Sequence, residues 1–530
     1  MHNRFNLIDE PWIPAIGKGL VSLADIFSDP RIPALGGNPV QKIALTKLLL
    51  AIGQAACTPE TTEALEQLDA ETFRRACRAY LEKWRDRFWL FGDKPFLQMP
   101  AILDWMESQR AAGILSETEN AKQIGPGFYP SLPSENDSIL SQFQTLKAQT
   151  DAEKALFIVS VMNFAFGGTQ INKNIYPSEE KVKGKGKPAK PGPSLGRNGY
   201  LHTFLFGSTI IDTLIMNLLS QEEIDNLPFW EKGIGTPPWE NMPVSRECDA
   251  ALSLKKSYMG TLVSLSRFVL LHDDGIYYID GLPYPSHQEG WLEPSMTIDN
   301  QQNPPKAILV NPEKRPWREL VSILAVFDSN KNNKFVCLFI KYGLSRWPKR
   351  YNKPGDKIGV WSGGLQVSFQ TGEQYAKATN DFVESSVELD PDMWNNLWYD
   401  KFFGEISILE IMANKVKNGV INYYDSFEPK KEKKPKERAS TIMGKKAVEL
   451  FWQLCERRFP ELVDACGEPD KLPAIHEAIN LLALQSYDAY CPKETARQID
   501  AWAECQKDLK KFIRELMEAD RRVGGVPSEF

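Results

Sequence analysis

The sequence lacks the features that mark secreted, metal-stapled and membrane-spanning proteins. Its eight cysteines include no C-x-x-C pair and follow no regular spacing, so neither a paired-cysteine zinc site nor a disulfide framework is indicated. No apolar run reaches the roughly 20 residues that span a bilayer, and the N-terminus lacks the layout of a signal peptide. We therefore expect a soluble protein of the reducing cytoplasm, without a membrane partner.

Motifs of catalysis and cofactor binding are also missing. The five histidines form no zinc-binding pair, because His476-Glu477 lacks a second histidine four residues on. No Walker loop, no dinucleotide-binding G-x-G-x-x-G after a strand and no G-x-S-x-G elbow occurs. We therefore expect no catalytic residue, no metal and no cofactor, and predict that the protein is not an enzyme. The enzymatic alternative is a metal-independent ribonuclease that uses a lone histidine such as His202.

An excess of positive charge is lacking as well. The formal net charge is −6, whereas a protein that coats nucleic acid by itself is normally strongly basic. Any contact with nucleic acid must therefore be local or shared with a partner. At 530 residues the chain also exceeds the size of one compact core, so two or three domains are expected.

The pattern of the sequence changes along the chain. A helix is predicted to begin at Asn38, which can cap it, and Pro39. Short β-rich runs and turns follow, and long helical patterns begin after residue 385. The expected fold class is α+β, with a large mixed α/β N-terminal domain with irregular loops over residues 1–385 and an antiparallel four-helix bundle over 386–530. The four helices are expected at residues 394–417, 443–459, 472–490 and 495–518.

Bare backbone is concentrated in one short segment. Residues 163–169 read Asn-Phe-Ala-Phe-Gly-Gly-Thr and follow an apolar helical run. Gly167 and Gly168 have no Cβ, so they can adopt positive φ and let another molecule approach the main chain closely. Ala165 and Phe166 would hold the segment to the body of the protein. This pattern suits a loop that reads a nucleic-acid groove better than an ATP-binding loop.

Two other segments allow two interpretations each. The basic and aromatic run over residues 345–353 is either a nucleic-acid contact or a solvated loop. The alternation over residues 360–372 predicts a β-hairpin. Its tip could enter a minor groove as a wedge. Alternatively, it is an internal hairpin in which Gly363-Gly364 makes a tight turn, and the spacing alone favours this second interpretation.

Two stretches indicate irregular chain. Residues 123–149 are rich in glycine, proline, serine and asparagine with apolar residues among them, and a loop of this length is usually functional or disordered. Residues 181–193 contain five lysines among glycines and prolines, so they cannot bury enough apolar surface to fold. We expect a flexible basic loop there.

The order and spacing of several segments carry a resemblance to a known family. These segments are residues 5–14, 22–27, 41–55, 94–100, 166–168 and 361–375. Over nearly its whole length the chain resembles the large subunit of type I-E Cascade, the CasA family of CRISPR surveillance complexes. The resemblance implies a non-enzymatic subunit that recognises the protospacer-adjacent motif of double-stranded DNA, aids local unwinding and recruits the helicase-nuclease. The implied partners are the other Cascade subunits, guide RNA, double-stranded target DNA and the helicase-nuclease.

The resemblance also implies site residues in three groups. A glycine loop whose backbone would face the minor groove resembles Phe166, Gly167, Gly168 and Thr169. A wedge hairpin would lie within residues 365–372, with Ser368, Phe369 and Gln370 at its tip. A long loop that docks on the guide-RNA end and the neighbouring subunit resembles residues 123–149, with its apolar members Phe128, Tyr129, Ile139, Leu140 and Phe143.

One element departs from the family. A lysine finger can precede the strand that corresponds to residues 276–280, yet residues 272–275 read His-Asp-Asp-Gly here. An acidic pair repels phosphate and cannot donate to a base acceptor. We therefore expect either that the lysine comes from elsewhere, with Lys255 and Lys256 as candidates, or that the motif is read differently. A plain protein-binding scaffold is the alternative to DNA recognition.

Overall fold

The computed structural model describes two compact units, one up to Glu388 and one from Leu389. The described residues are 3–124, 149–165, 172, 174–178, 199–272, 275–312, 316–325, 334–347, 350, 358–370, 373–375, 381–390, 393, 395–427 and 438–523. Of residues 368–370, 373–375 and 523, only the backbone is described.

The first unit mixes short strands with helices. Its helices are α1 (Leu23–Ile26), α2 (Pro39–Ala56), α3 (Thr62–Glu66), α4 (Ala70–Lys83), α5 (Ala101–Ala111), α6 (Asp151–Asn163), α7 (Ile210–Asn217), α8 (Gln221–Asp225), α9 (Asp249–Leu254), α10 (Tyr258–Leu262), α11 (Leu320–Ile323) and α12 (Leu338–Arg346). Its strands are β1 (Arg4–Asn6), β2 (Ile13–Ala15), β3 (Gly19–Val21), β4 (Trp89–Phe91), β5 (Lys122–Gln123), β6 (His202–Phe206), β7 (Arg267–His272), β8 (Gly275–Asp280), β9 (Ile298–Asp299), β10 (Lys306–Ala307), β11 (Phe335–Val336), β12 (Ile358–Leu365), β13 (Ser368–Gln370), β14 (Glu373–Tyr375) and β15 (Phe382–Leu389). The predicted mixed α/β character of this part is confirmed.

Helix α2 lies at the centre of this unit. Asn38 caps it, because its side chain accepts from the backbone N–H of Gln41 at 3.0 Å and its own N–H donates to the Gln41 side chain at 3.1 Å. Pro39 follows, where a missing N–H costs nothing. Most of the helix is buried, and it packs against α4, α6, α7 and β12. The predicted start of this helix is confirmed.

The strands form small sheets. Pairs are formed by β1 with β4, β2 with β3, and β13 with β14. Three-stranded sheets have the orders β10-β9-β11, β15-β12-β6 and β5-β8-β7. The hairpin of β7 and β8 pairs Arg267 with Asp280 at one end and His272 with Gly275 at the other. Strand β13, which contains three of the predicted DNA-binding residues, follows β12 in the chain.

The tight turn predicted at Gly363-Gly364 is wrong. Both glycines lie inside β12, which pairs antiparallel with β6. A Cβ on Gly364 would lie 2.7 Å from the carbonyl oxygen of Tyr200. The glycine pair therefore permits a close approach between backbone segments and does not reverse the chain. Sequence spacing cannot distinguish these two uses of glycine, because the second depends on a neighbour distant in sequence.

Both interpretations of the basic run over residues 345–353 are wrong for Arg346 and Trp347. Arg346 is 1% exposed and forms a buried salt bridge with Glu223. Trp347 is fully buried, and its indole N–H donates to the carbonyl of Met216 at 2.9 Å. These two residues belong to the core, where partners distant in sequence bind the Arg346 guanidinium and the Trp347 indole.

The second unit is helical where it is described. Its helices are α13 (Asn396–Asp425), α14 (Ala439–Glu456), α15 (Phe459–Gly467), α16 (Leu472–Tyr490), α17 (Ala496–Cys505) and α18 (Lys507–Val523). Helix α13 packs against α14, α16 and α18, and α16 also packs against α14 and α18. The helix predicted over residues 495–518 is two helices that meet at Gln506. The helix predicted over 394–417 continues to Asp425.

His476 connects three helices of this unit. Its Nδ1 lies 2.9 Å from the carboxylate of Asp520 on α18, and its Nε2 lies 2.6 Å from Oε2 of Glu405 on α13. Burial opposes a charge on the imidazole, but the hydrogen bonds and charges of the two carboxylates outweigh burial and raise the pKa of His476. The side chain is therefore a charged link between α13, α16 and α18 when protonated.

Membrane-spanning helices and metal-binding clusters are not found among the described residues. In that part of the chain, none of the helices has the length and apolar character to cross a membrane. No group of three or more metal-binding side chains lies together there. All eight cysteines are free thiols.

Candidate nucleic-acid interface

The glycine segment is placed by its attachments, because Phe166, Gly167, Gly168 and Thr169 lie outside the described residues. Helix α6 leads into it. The N–H of Phe164 donates to the carbonyl of Ser160 at 2.7 Å and closes the last turn. Phe164 and Ala165 are 0% and 4% exposed. Ala165 therefore anchors the chain just before the glycine pair, as predicted.

Asn172 anchors the chain after the glycine pair. It is fully buried, its N–H donates to the carbonyl of Tyr278 at 3.2 Å, and its Oδ1 accepts from the N–H of Tyr278 at 3.1 Å. Its Nδ2 donates to Oε1 of Glu119 at 2.6 Å and to the carbonyl of Asn120 at 3.2 Å. The chain at residue 172 is therefore fixed both to β8 and to the stretch before β5.

Strand β8 is the common support. Strand β7 pairs with one edge along its whole length, while β5 pairs with the other edge at Gly275 and Ile276. Asn172 bonds to that second edge two residues further on, at Tyr278. It thereby provides hydrogen-bond partners for the N–H and the carbonyl of Tyr278, which β5 does not reach. Asn172 and β5 consequently meet the same edge of the same strand.

Lys255 lies at the far end of β8 from the acidic tip of the β7–β8 hairpin. Its Nζ donates to the carbonyl of Arg246 at 3.0 Å, and Arg246 donates to the carbonyl of Asp280 at 2.8 Å. The two acidic residues precede Gly275 in the sequence and lie outside the described residues. Gly275 and Asp280 are separated by about 17 Å along a strand. Lys255 therefore lies near the Asp280 end of β8 and away from the Gly275 end.

The two candidate lysines differ in availability. Burial lowers the pKa of Lys255, because its half-buried ammonium has lost water. Lys256 is 52% exposed and pairs with Glu231 at 2.6 Å. An exposed pair of this kind contributes little to stability. Lys256 can therefore exchange Glu231 for a phosphate at small cost, whereas Lys255 is held by a backbone carbonyl.

A hairpin is present in the region where a wedge was predicted. Strands β13 and β14 pair antiparallel, with Ser368 opposite Tyr375, Phe369 opposite Gln374, and Gln370 opposite Glu373. Ser368, Phe369 and Gln370 thus form its first strand. Gln370 is the last of them before the connection to β14.

The base of this hairpin is held by two contacts. The N–H of Gln366 donates to the carbonyl of Asp381 at 2.9 Å. On the other side, Gly199 has a φ of +62° and lies so close that a Cβ would be 2.9 Å from the carbonyl oxygen of Leu365. Glycine is required there by both the backbone conformation and the space. The lysine-rich residues 181–193 precede Gly199 in the sequence and lie outside the described residues.

The candidates for contact with guide RNA lie outside the described residues: Phe128, Tyr129, Ile139, Leu140 and Phe143. Both ends of their loop are described. It begins after β5 on the edge of β8 and ends at Thr150, whose hydroxyl caps α6 by accepting from the N–H of Glu153 at 3.2 Å. The long loop thus ends where α6 begins, and the glycine segment begins where α6 ends.

The ribonuclease alternative depended on His202. His202 is fully buried, and its Nδ1 lies 2.7 Å from Oγ of Ser295 and 3.5 Å from Oε2 of Glu293. Glu293 also binds the buried ammonium of Lys47 at 2.7 Å. Burial opposes the charge on Glu293, but Lys47 and His202 outweigh burial and lower the pKa of Glu293 to about 2. A histidine without solvent access cannot reach an RNA phosphate, so this alternative is not favoured.

Sequence reasoning missed the side chains that hold the chain after the glycine segment. Asn172 is one, and Gln109 is another: its Nε2 donates to the carbonyl of Tyr176 at 2.7 Å, and its Oε1 accepts from the N–H of Tyr176 at 3.2 Å. Neither side chain belongs to a motif. The only signal was an asparagine shortly after a glycine pair, a residue type that often supports irregular backbone.

Comparison with known proteins identifies the family. The model of the family described as CRISPR-associated protein Cse1 matches residues 6–486. A curated relative, the CasA/Cse1 protein of Thermus thermophilus, is 29% identical over 241 residues, which are 43% of this chain and 42% of that protein. The aligned region therefore spans less than half the length of that relative.

The fold is similar to solved structures over almost the whole chain. A crystal structure of CasA from Thermus thermophilus matches with a TM-score of 0.69 and 18% identity, over 97% of this chain and 100% of that one. A chain from a structure described as a CRISPR RNA-guided surveillance complex matches with a TM-score of 0.65 and 14% identity, over 96% and 100% of the two chains. At these identities the likeness shows the fold, while the family model covers most of the sequence. The chain therefore belongs to the CRISPR-associated Cse1 family, the CasA-type large subunits of Cascade, as its resemblance predicted.

Proposed function

We propose that this protein is the non-catalytic large subunit of a type I-E CRISPR RNA-guided surveillance complex, and that it recognises the protospacer-adjacent motif in double-stranded DNA. It would also aid local unwinding and recruit the helicase-nuclease. Its partners would be guide RNA, the other Cascade subunits and target DNA. Residues 1–385 would carry the DNA-reading loops, and residues 386–530 would form the antiparallel four-helix bundle.

One observation carries this proposal: the described residues before and after the glycine pair are both fixed to the body of the protein. Ala165 is buried on one side, and Asn172 is fixed to Tyr278 on the other. Between them the sequence places Gly167 and Gly168, which present main chain without a Cβ. Main chain without side chains can follow the minor groove, whose width and acceptor pattern distinguish A·T from G·C pairs only coarsely.

The hairpin of β13 and β14 would act beside this segment. In the proposed complex, Ser368, Phe369 and Gln370 enter the duplex as a wedge, and unstacking one base step costs a few kcal/mol. Phosphate contacts would offset that cost, with Lys256 and the lysines of residues 181–193 as their source. Guide RNA then reads the target sequence by base pairing, as in RNA-guided systems generally.

The long loop would join this reader to the rest of the complex. Its apolar side chains at Phe128, Tyr129, Ile139, Leu140 and Phe143 would contact the guide-RNA end and the neighbouring subunit. Because this loop and the glycine segment are attached to opposite ends of α6, assembly and motif reading would use one rigid support.

The proposal is tested with the reconstituted complex and duplexes that differ only in the motif beside the target. Replacing Gly167 and Gly168 with leucine should abolish motif-dependent binding in a gel-shift series and leave assembly intact. Gly404→Leu is the matched control, because a Cβ at this helical glycine meets no atom within 4 Å. Retained motif preference in the double variant would refute the proposal.

The second candidate function is a scaffold that binds only neighbouring proteins. Exposed apolar side chains on α13, namely Leu397 at 84% and Phe403 at 53%, favour protein contacts of this kind. If the complex assembled without this chain bound target DNA with the same affinity and motif preference, the scaffold function would be supported and DNA recognition by this chain rejected.

A further inference from the structure

We propose that Asn172 is a positioning residue that couples the glycine segment to the stretch leading into the long loop, through its hydrogen bond to Glu119. This inference rests on the proposed function for its effect on DNA binding. The coupling itself is a property of the described residues and can be measured without DNA.

The contacts of Asn172 divide into two sets with different consequences. Two of them, to the N–H and the carbonyl of Tyr278, clasp β8. The other two run from Nδ2 to Glu119 and to the carbonyl of Asn120, at 2.6 and 3.2 Å. The first set fixes the exit of the glycine segment on the strand. The second set ties that exit to the residues just before β5.

The receiving stretch is itself well fixed. The carbonyl of Glu119 accepts from Nη2 of Arg110 at 2.7 Å, and its N–H donates to the carbonyl of Ser116 at 3.2 Å. The ammonium of Lys122 on β5 lies 3.9 Å from the Glu119 carboxylate. A displacement of the chain at residues 119–123 is therefore passed to Asn172, which follows the glycine segment in the sequence.

The chemistry of this node requires a carboxamide. The side chain at position 172 must accept from Tyr278 and donate to Glu119 and Asn120, and only asparagine or glutamine offers both functions. Glutamine is one methylene too long for a fully buried site. Aspartate keeps the acceptor but places a carboxylate against that of Glu119. Asn172→Asp therefore breaks the tie to Glu119 and preserves the clasp on β8.

The test uses this asymmetry. In the complex, Asn172→Asp should lower the preference for the correct motif by at least tenfold, with assembly unchanged. Pairing it with Glu119→Gln should recover most of that loss, because the amide introduced at position 119 can donate to the carboxylate introduced at position 172 in a reversed hydrogen bond. Glu119→Gln alone should have little effect, since the side-chain oxygen at position 119 still accepts from Asn172.

The matched control is Asn217. It is also fully buried and also binds both backbone groups of one strand residue, with its Oδ1 accepting from the N–H of Leu205 at 3.0 Å and its Nδ2, rather than its backbone N–H, donating to the Leu205 carbonyl at 2.7 Å. Asn217→Asp should lower stability without changing motif preference. An equal loss of preference in this variant would overturn the positioning role, because it would trace the effect to general destabilisation.

Hydrogen–deuterium exchange on the full chain separates the inference from the proposed function. Asn172→Asp should speed exchange at residues 119–123 at least tenfold, the pair with Glu119→Gln should restore it, and Asn217→Asp should not change it. Unchanged exchange in Asn172→Asp would overturn the coupling even if the complex reads its motif. A wild-type complex without motif preference would reject the proposed function, and the exchange result would still decide the coupling.

Discussion

Replacing His476 with glutamine should remove the pH dependence that this histidine gives to the stability of the C-terminal unit. Its folded-state pKa is raised above the ordinary value of 6.5. The stabilisation is therefore fully present below the unfolded pKa and is lost as pH rises through the folded pKa. No other histidine occurs after residue 287. Within the C-terminal unit, the imidazole response is thus the work of one side chain.

The contacts of His476 set the magnitude. Removing one partner from a buried ion pair costs about 3–5 kcal/mol. Here Lys401 stays 3.6 Å from Glu405, and the side chain of Asp520 is 17% exposed and can regain water. Both features place the cost of His476→Gln at the lower limit, about 3 kcal/mol at pH 5.5. Above the folded pKa the neutral imidazole makes ordinary hydrogen bonds, and the difference falls to about 1 kcal/mol.

The measurement is urea unfolding of the full chain and of the variant between pH 5.5 and 8.5. Hydrogen–deuterium exchange of the backbone amides in α18 monitors the unfolding of the C-terminal unit. His272→Gln in the other unit serves as the control and should keep the wild-type pH profile of α18. A gap between wild type and His476→Gln that is constant or grows with pH would refute the reasoning. Such a result would mean that the two carboxylates do not hold a proton on the imidazole.

Three further outcomes follow from features described above. Lys47→Met should lower the free energy of unfolding of the first unit by about 3–5 kcal/mol, because Glu293 stays buried without its cation. In chemical denaturation, the double variant Lys47→Met with Glu293→Gln should recover most of this loss, and no recovery would contradict the pairing. Gly364→Ala should lower the free energy of unfolding by about 1–3 kcal/mol, because the added Cβ would be overpacked against the Tyr200 carbonyl. Gly404→Ala should raise it by up to about 1 kcal/mol, and equal melting temperatures for the two variants would argue against close strand packing. Binding of motif-bearing DNA by the complex should weaken steeply with salt despite the acidic chain, because counterion release depends on local cations; an affinity independent of salt would exclude phosphate contacts.

Local patterns predicted the elements whose causes are local. The cap at Asn38 lies within three residues of its partner Gln41, and the β-rich run at residues 276–280 has the composition of a strand. The burial of Ala165 was also visible, because apolar residues precede the glycine pair. Such elements depend on neighbours in sequence, which is why the sequence alone predicts their positions.

The predictions that were wrong depended on partners distant in sequence. The sequence predicted an exposed cation at Arg346, because its partner Glu223 lies 123 residues away and no local pattern connects the two residues. Gly363 and Gly364 read as a turn because the approach of residue 200 leaves no local trace. Asn172 was missed for the same reason, since its contacts reach Glu119 and Tyr278. Burial of polar and glycine residues is decided by tertiary packing, and a single sequence does not encode it in a readable pattern.

Helix α6 sets a fixed distance between the residues at its two ends. Its 13 residues rise about 20 Å from end to end, and that length equals roughly six phosphate steps along one DNA strand at 3.4 Å each. Its C-terminal half is buried from Phe157 to Asn163, so it cannot stretch or bend without opening the core. The residues at the two ends of α6 are thereby kept at a constant separation. Inserting one helical turn into α6 would lengthen this separation by about 5.4 Å without changing any residue outside the helix.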